Sequence, residues 1–250
     1  MEKYAAVILA AGKGTRMNEG EASPIPKVMF EINSKPIIWY AVKSVQEAGI
    51  TKIVLVVGYK KEMVQEYLGD KVEYAFQAEQ LGTGHAVMQA KDLLKDKTEA
   101  VIIFGGDCPL FKSETIKNLL ADCQKRQPTI AMLSVISDDP SGYGRILRDE
   151  KTGYVAGIVE HKDCTPEQLK IKEWNPGFYI FDAKWLWENI DHLSTKNAQK
   201  EYYLTDLIGM AVEQGKRLYA MPVSEETEAL GVNTPEQLEE AEKVLRSREI

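Results

Sequence analysis

From residue 4 to residue 10 the chain is apolar without a break and then meets Gly12, the pattern of a strand buried on both faces. Residues 36–48 set Ile37, Ile38, Tyr40, Ala41 and Val45 at helical spacing and stop at Gly49, which predicts a helix. A second buried-type strand is expected over 52–57, a polar helix over 62–68, a shorter strand over 72–76 and a helix over 85–94. Another apolar run, 100–104, ends in Gly105-Gly106-Asp107. Strand and helix alternating in this way predict parallel strands joined by crossover helices. Ligands of such sheets bind beyond the carboxyl ends of the strands. The Gly12 loop and the Gly105-Gly106-Asp107 loop both fall there.

Past residue 128 the rhythm changes. Strands are expected over 129–135, 145–148 and 154–159, separated by turns, and they suggest an antiparallel excursion covering one side of the sheet. Helical patterns return over 184–190 and 203–214, with a strand over 217–222. The last segment, 235–248, predicts a helix capped by Thr234, with Pro235 at its first position and Glu236 and Gln237 in its first turn. The fold class expected is α/β: a Rossmann-like mixed, mainly parallel sheet flanked by helices, with a small antiparallel excursion. No Pro/Gly/Ser-rich linker, internal repeat or low-complexity tract divides the chain, so a single domain over 1–250 is expected.

Composition adds limits. An apolar fraction of 44% and a charged fraction of 28% are those of a globular protein. The net charge of −7 speaks against nucleic-acid binding, which needs a basic footprint. The opening apolar run is too short for a signal segment or a membrane span, and a cytoplasmic location is expected. Cys108, Cys123 and Cys164 fit no zinc spacing and read as reduced thiols.

The chemistry begins at the first loop, Leu9-Ala10-Ala11-Gly12-Lys13-Gly14-Thr15-Arg16-Met17. It lacks the Gly-Lys-Ser/Thr of a Walker loop, and Met17 stands where a dinucleotide fingerprint has its third glycine. A tight turn after a strand is one reading of the glycines alone. Small residues also let backbone amides approach a phosphate, Arg16 adds a planar donor fork, and Lys27 in Pro26-Lys27-Val28 adds a compact cation. Two polyanions meeting at one point need such charge, since each unit pair at 4 Å repels by roughly 4 kcal/mol at an effective dielectric of 20. Asp107, at a strand end cleared by glycines, suits Mg²⁺, which takes only one or two protein ligands, although a turn or cap also accounts for a bare aspartate. In Gln77-Ala78-Glu79-Gln80-Leu81-Gly82-Thr83-Gly84-His85-Ala86, Gln77 can present a donor and an acceptor to a base edge. The alternative there is a turn with a helix cap. His85 reads as a packing residue.

These segments together resemble the sugar-nucleotide pyrophosphorylases, and more narrowly the uridylyltransferase domain of the bifunctional N-acetylglucosamine-1-phosphate uridylyltransferase/acetyltransferases. The resemblance runs nearly end to end. It implies a nucleotide site of Leu9, Ala10, Ala11, Gly12, Gly14, Gln77, Gly82 and Thr83, with Arg16 and Lys27 as catalytic cations. It implies Asn233, in Gly231-Val232-Asn233-Thr234-Pro235, as the second Mg²⁺ ligand beside Asp107. Three further segments resemble the family's sugar-facing parts and imply that Gly144, Glu160 and Asn175 contact the sugar; 200–206 matches another stretch near it. The partners implied are UTP and a sugar 1-phosphate, with no nucleic acid and no membrane.

Three departures stand out. Residues 18–25 form a longer loop than is usual, Gly105 replaces a tyrosine often found before the Gly-Asp pair, and Pro176 replaces threonine. No hexapeptide-repeat segment follows the last helix, so no acetyltransferase domain is expected in this chain. UTP or dTTP with glucose 1-phosphate keeps the chemistry with other substrates. A non-catalytic nucleotide-sugar sensor is disfavoured by the presence of Arg16, Lys27 and Asp107, and a dehydrogenase by the missing third glycine.

Overall fold

The computed structural model describes residues 2–17 and 24–248, so most of the long loop over 18–25 lies outside the described residues. In its first half the chain forms β1 (Glu2–Ala10), a hairpin of β2 (Glu31–Ile32) and β3 (Lys35–Pro36), α1 (Ile37–Glu47), β4 (Lys52–Val57), α2 (Lys61–Leu68), β5 (Glu73–Phe76), α3 (Thr83–Met88), α4 (Lys91–Leu94), β6 (Thr98–Gly105) and α5 (Ser113–Arg126). It continues through β7 (Ile130–Ile136), β8 (Gly144–Arg148), β9 (Val155–Val159), β10 (Glu173–Asn175), β11 (Tyr179–Asp182), α6 (Ala183–Asn189), α7 (Asp206–Glu213), β12 (Leu218–Pro222) and α8 (Pro235–Arg248).

Ten strands make one sheet in the order β5-β4-β1-β6-β11-β7-β10-β8-β9, with β12 beside β7. The β5-β4-β1-β6 half is parallel, as the alternating pattern predicts. Period-two alternation sends Ala5, Val7, Val101 and Ile103 to one face, under α3, α6 and α7. Ala6, Ile8, Ile102 and Phe104 go to the other, under α1 and α5. Both faces are dry, which explains the unbroken apolar runs. Helix α8 closes a third, smaller cluster with Met17, Ile32, Ile37 and Val232. Its cap is the expected one: Thr234 Oγ1 accepts from Gln237 N at 3.3 Å.

Four departures from expectation bear on the site, three of them in the second half. Strand β11 lies antiparallel between β6 and β7, inside the sheet. The antiparallel strands extend the sheet beyond β7 instead of covering one side: the last residues of β7 pair with β10, which pairs with β8, and β8 with β9. The helix expected over 85–94 breaks at Gln89 and Ala90, where the chain tightens to i→i+3 bonds onto Ala86 and Val87. Residues 203–205 likewise form tight turns, so α7 begins at Asp206. Among the described residues no helix is long and apolar enough to cross a membrane.

The turn between β10 and β11 is pinned by Phe178, fully buried, whose ring centroid lies 5.0 Å from those of Phe104 and Phe111. Phe178→Ala is expected to destabilise the protein by about 3–5 kcal/mol. Urea denaturation would read this, and a midpoint unchanged from wild type would show that the aromatic cluster is not part of the cooperative core.

Candidate active site

The carboxyl ends of β1, β5 and β6 open into one cleft of about 450 Å³, walled on its far side by residues of the antiparallel strands. Of the residues singled out in the sequence, Leu9, Ala10, Ala11, Gly12, Lys27, Gln77, Gly82, Thr83, Asp107, Glu160, Asn175 and Asn233 line it. Arg16, Gly14 and Gly144 are not part of this lining, but each lies against one of its members: Asn233, Lys27 and Glu160 respectively.

The tightest knot in the cleft is electrostatic. Lys27 Nζ forms an ion pair with Asp107 Oδ2 and donates to Asn233 Oδ1 at 2.9 Å. Arg16 Nη2 donates to the same Asn233 oxygen at 2.8 Å. The Lys27 and Asp107 side chains keep only 17% and 21% of their surface in solvent. Burial pushes the Asp107 carboxyl up, and the adjacent Lys27 ammonium more than reverses this, holding it below the usual carboxylate range.

Local backbone sets the geometry. Gly14 has φ +70°, and a Cβ there would stand 3.2 Å from Lys27 Cβ, so the loop can fold over the lysine only with glycine. Gly106 N donates to Leu9 O at 2.8 Å, tying the two strand-end loops together. Val232 N donates to Asp107 O at 2.8 Å, and Asn233 N to Gln237 Oε1 at 2.8 Å, which orients the asparagine. Asp107 Oδ1 folds back into the space that a Cβ at position 105 would take. Glycine at that position is thus a requirement of this carboxylate conformation.

Asp107 Oδ2 and Asn233 Oδ1 converge on a single point, now the Lys27 ammonium. Two hard oxygen donors aimed at one cation suit Mg²⁺, which keeps most of its shell as water and phosphate oxygen. Among the described residues no group of three or more His, Cys, Asp or Glu side chains could hold a metal.

At the β5 end, Gln77 is buried, with Nε2 donating to Gly82 O at 3.2 Å and 3.1 Å from His85 Nδ1. The donor half of its amide is thus engaged within the protein. The turn that follows is laced to residues 202–204: Gly84 N to Tyr202 O at 2.8 Å, Tyr202 N to Leu81 O at 2.9 Å, and Leu204 N to Thr83 Oγ1 at 3.1 Å. The His85 ring lies 6.1 Å from that of Tyr202, and its two nitrogens stand 3.1 and 3.2 Å from the Gln77 and Gln89 amide nitrogens.

The far wall carries Glu160 and Asn175. Glu160 Oε1 accepts from Thr205 Oγ1 at 2.8 Å, and a Cβ on Gly144 would stand 3.4 Å from its other oxygen. Asn175 is held by its neighbours: Nδ2 donates to Tyr179 Oη at 2.5 Å, and Oδ1 accepts from Gly177 N at 3.0 Å. The turn reading of that segment and its place in the cleft are therefore both true. Sequence reasoning passed over Cys108 and Tyr179 and placed Tyr143 and Thr205 only within sugar-facing stretches, without singling them out; all four also line the cleft. Tyr143 stacks on Trp174 with ring centroids 3.9 Å apart, and Trp174 Nε1 is fixed on Ser137 Oγ at 2.9 Å. An aromatic residue just before Gly144 was the available signal.

Sheet order and flanking helices define the nucleotide-diphospho-sugar transferase fold. The chain belongs to the nucleotidyl transferase family, which it matches over residues 5–236. It is 45% identical over 248 residues to the bifunctional protein GlmU of Acetivibrio thermocellus, covering 99% of this chain and 53% of that protein. It is 46% identical over 244 residues to the bifunctional protein GlmU of Clostridium novyi, covering 97% and 52%. The chain thus spans about half the length of the curated relatives it matches. The crystal structure of a UDP-glucose pyrophosphorylase complexed with UDP-glucose superposes with a TM-score of 0.78 at 21% identity, covering 99% of this chain and 100% of that one. An apo UDP-glucose pyrophosphorylase superposes with a TM-score of 0.81 at 20% identity, with both chains fully covered. At such identities the likeness is one of fold.

Burial raises the Glu160 carboxyl above its usual range; the Thr205 hydrogen bond opposes the shift, and Asp163 and Asp206 add to it. The native state therefore holds this proton more tightly than the unfolded chain does. Stability from this group is lost as pH rises from the ordinary carboxylate range through the raised value. Glu160→Gln is expected to melt at or above the wild-type temperature at pH 7.5, with the difference vanishing below about pH 4. Scanning calorimetry across pH checks this; a variant that melts lower at pH 7.5 would contradict it.

Proposed function

We propose that this chain is a Mg²⁺-dependent uridylyltransferase that joins UTP to N-acetylglucosamine 1-phosphate, forming UDP-N-acetylglucosamine and releasing pyrophosphate. The observation that carries this reading is the convergence of Arg16, Lys27, Asp107 and Asn233 at the carboxyl ends of β1 and β6. The identity of 42–46% to bifunctional GlmU proteins along nearly the whole chain supports the choice of substrates.

A phosphate oxygen of the sugar 1-phosphate attacks the α-phosphorus of UTP in line. As the new O–P bond forms, the bond from the α-phosphorus to the bridging oxygen of the β-phosphate breaks, and pyrophosphate leaves with that electron pair. The attacking oxygen is already ionised, so no side-chain base is needed, and catalysis comes from positioning and charge stabilisation. Asp107 and Asn233 would hold Mg²⁺, which would supply positive charge to offset that of the reacting phosphates. Lys27 and Arg16 both contact Asn233 Oδ1, and Lys27 also pairs with Asp107; the N–H groups they do not use there are donors suited to phosphate oxygens. Lys27, beside the carboxylate, suits the α-phosphate; Arg16, at the outer and exposed edge, suits the departing pyrophosphate. Leu9, Ala10, Ala11 and Gly12 line the part of the cleft on which the triphosphate would lie. The engaged donor of Gln77 leaves its carbonyl side to accept from the uracil imide. Glu160 suits the sugar hydroxyls or amide as an acceptor.

Gly105 points to a second reading of the sugar, because the resembled family often carries a tyrosine at that position. Glucose 1-phosphate with UTP or dTTP is that alternative. Crossing a panel of nucleoside triphosphates with a panel of sugar 1-phosphates and measuring pyrophosphate release decides between them. Fastest release with UTP and N-acetylglucosamine 1-phosphate is expected; no release with any pair would refute the assignment.

Lys27→Ala is expected to lower kcat by at least about 10²-fold, as loss of one preorganised charge does, while circular dichroism shows the fold retained. Turnover at the wild-type rate would remove Lys27 from the mechanism. Asp107→Asn should raise the Mg²⁺ concentration needed for half-maximal activity; an identical titration curve would remove Asp107 as a ligand.

A further inference from the structure

Glu228 is completely buried, yet it belongs to none of the groups that line the cleft. It sits in a short turn, Glu226–Ala229, between β12 and the segment that carries Asn233. Its Oε2 accepts from Lys112 N at 3.2 Å, and its Oε1 from Ser224 Oγ at 3.4 Å. Lys112 closes the loop that Asp107 opens at the end of β6. The carboxylate of Glu228 therefore spans from the segment bearing one proposed metal ligand to the loop bearing the other.

Other contacts repeat this connection. Lys112 Nζ pairs with Glu225 Oε1 at 2.5 Å. Arg248, in the last turn of α8, donates from Nη1 to Leu110 O at 2.7 Å and brings Nη2 within 3.8 Å of Glu225 Oε2. Its Nε and Nη2 are buried and have no hydrogen-bond partner among the described residues, and the charges of Glu228 and Glu225 offset its burial. On the inner side, the Val232 N to Asp107 O bond closes the same pair of loops. A carboxylate buried to this depth costs more than an apolar side chain of the same volume. An apolar residue could fill the space but could not accept from Lys112 N.

We propose that Glu228 is a positioning residue: by bridging the Asp107–Lys112 loop to the Asn233 segment, it sets the spacing of the two oxygens that receive the divalent cation. The inference rests on the metal site proposed above. Magnesium tolerates little error in its metal–oxygen distances, so a slip of either loop reaches the ion directly. A purely architectural Glu228 would affect melting alone.

The test reads metal binding in the full chain, with Mn²⁺ as the probe ion, titrated by electron paramagnetic resonance in the presence of UTP without sugar phosphate. Glu228→Ala is expected to weaken Mn²⁺ binding by about 10- to 100-fold, the range seen when an outer partner of a metal ligand is lost. Circular dichroism would establish that it remains folded. Glu228→Gln, whose amide oxygen still accepts from Lys112 N, should restore binding to within about threefold of wild type. A folded Glu228→Ala variant that binds Mn²⁺ as wild type does overturns the proposal. Should that variant fail to fold, Arg248→Ala takes its place: weakened Mn²⁺ binding supports the bridge, and unchanged binding overturns it. Asp107→Asn run alongside separates the two ideas, because undiminished Mn²⁺ binding there would show the metal site itself to be misassigned.

Discussion

A carboxylate, an amide oxygen, an ammonium and a guanidinium meet at the end of β1 and β6, and much of the surrounding backbone exists to make that meeting possible. Placed together without ligands, Lys27 and Arg16 repel each other, and Asp107 is partly withdrawn from water. Pairing resolves both costs: Lys27 bridges Asp107 and Asn233, and Arg16 takes the second lone pair of the Asn233 oxygen. The same pairing leaves the site poised for polyanions, because phosphate oxygens compete for cations that are already in place. In a chain of net charge −7, such a local concentration of positive charge is a deliberate departure from the average surface.

The sheet explains why this knot can be held firmly. β1 and β6 are neighbours, so their carboxyl-end loops are adjacent by construction, and Gly106 N to Leu9 O joins them. Asn233 comes from far along the chain and has to be brought in by other means. Val232 is hydrogen-bonded to Asp107, Gln237 orients the asparagine from the first turn of α8, and Glu228 and Arg248 secure the outer side. The opposite wall is no separate lobe. β7 pairs through its first residues with β11 and through its last with β10, so Asn175 at the end of β10 and Glu160 just after β9 ride on the same backbone as the central sheet. The Tyr143–Trp174 stack fixes the edge of that wall.

How much of this was legible follows the range of the interactions involved. β1 and β4 were readable because their burial on both faces writes itself as continuous apolar runs, and α8 because its Thr234 cap is local. β11 was not: Tyr179-Ile180-Phe181-Asp182 is too short to separate strand from helix, and Asp182 also caps α6 by accepting from Trp185 N. Its antiparallel place beside β6 depends on pairing with residues nearly eighty positions away. α5 was a different kind of miss, since Ile116, Leu119 and Leu120 give it an ordinary buried stripe. At the site, residues at strand ends announced themselves through glycines and charge. The link from Glu228 to Lys112 spans 116 positions and left no local mark.

Gly105 shows where likeness to relatives and local geometry part company. Superposition with two pyrophosphorylase structures at about one fifth identity means that the scaffold accepts replacement of most of its side chains. Substrate choice must then rest on the few positions whose geometry cannot drift. At 105 the constraint is steric: with Asp107 Oδ1 folded back, any Cβ would overlap it, so a larger residue there demands another carboxylate conformation. Asn175, tied to Tyr179 and Gly177, has little freedom to change its contacts, whereas Glu160 carries a carboxyl that burial keeps unusually basic. On the proposed reading, discrimination among sugars falls to Glu160 and the Tyr143 edge of the antiparallel wall. The phosphate chemistry, set by the loops after β1 and β6, is then indifferent to which sugar arrives.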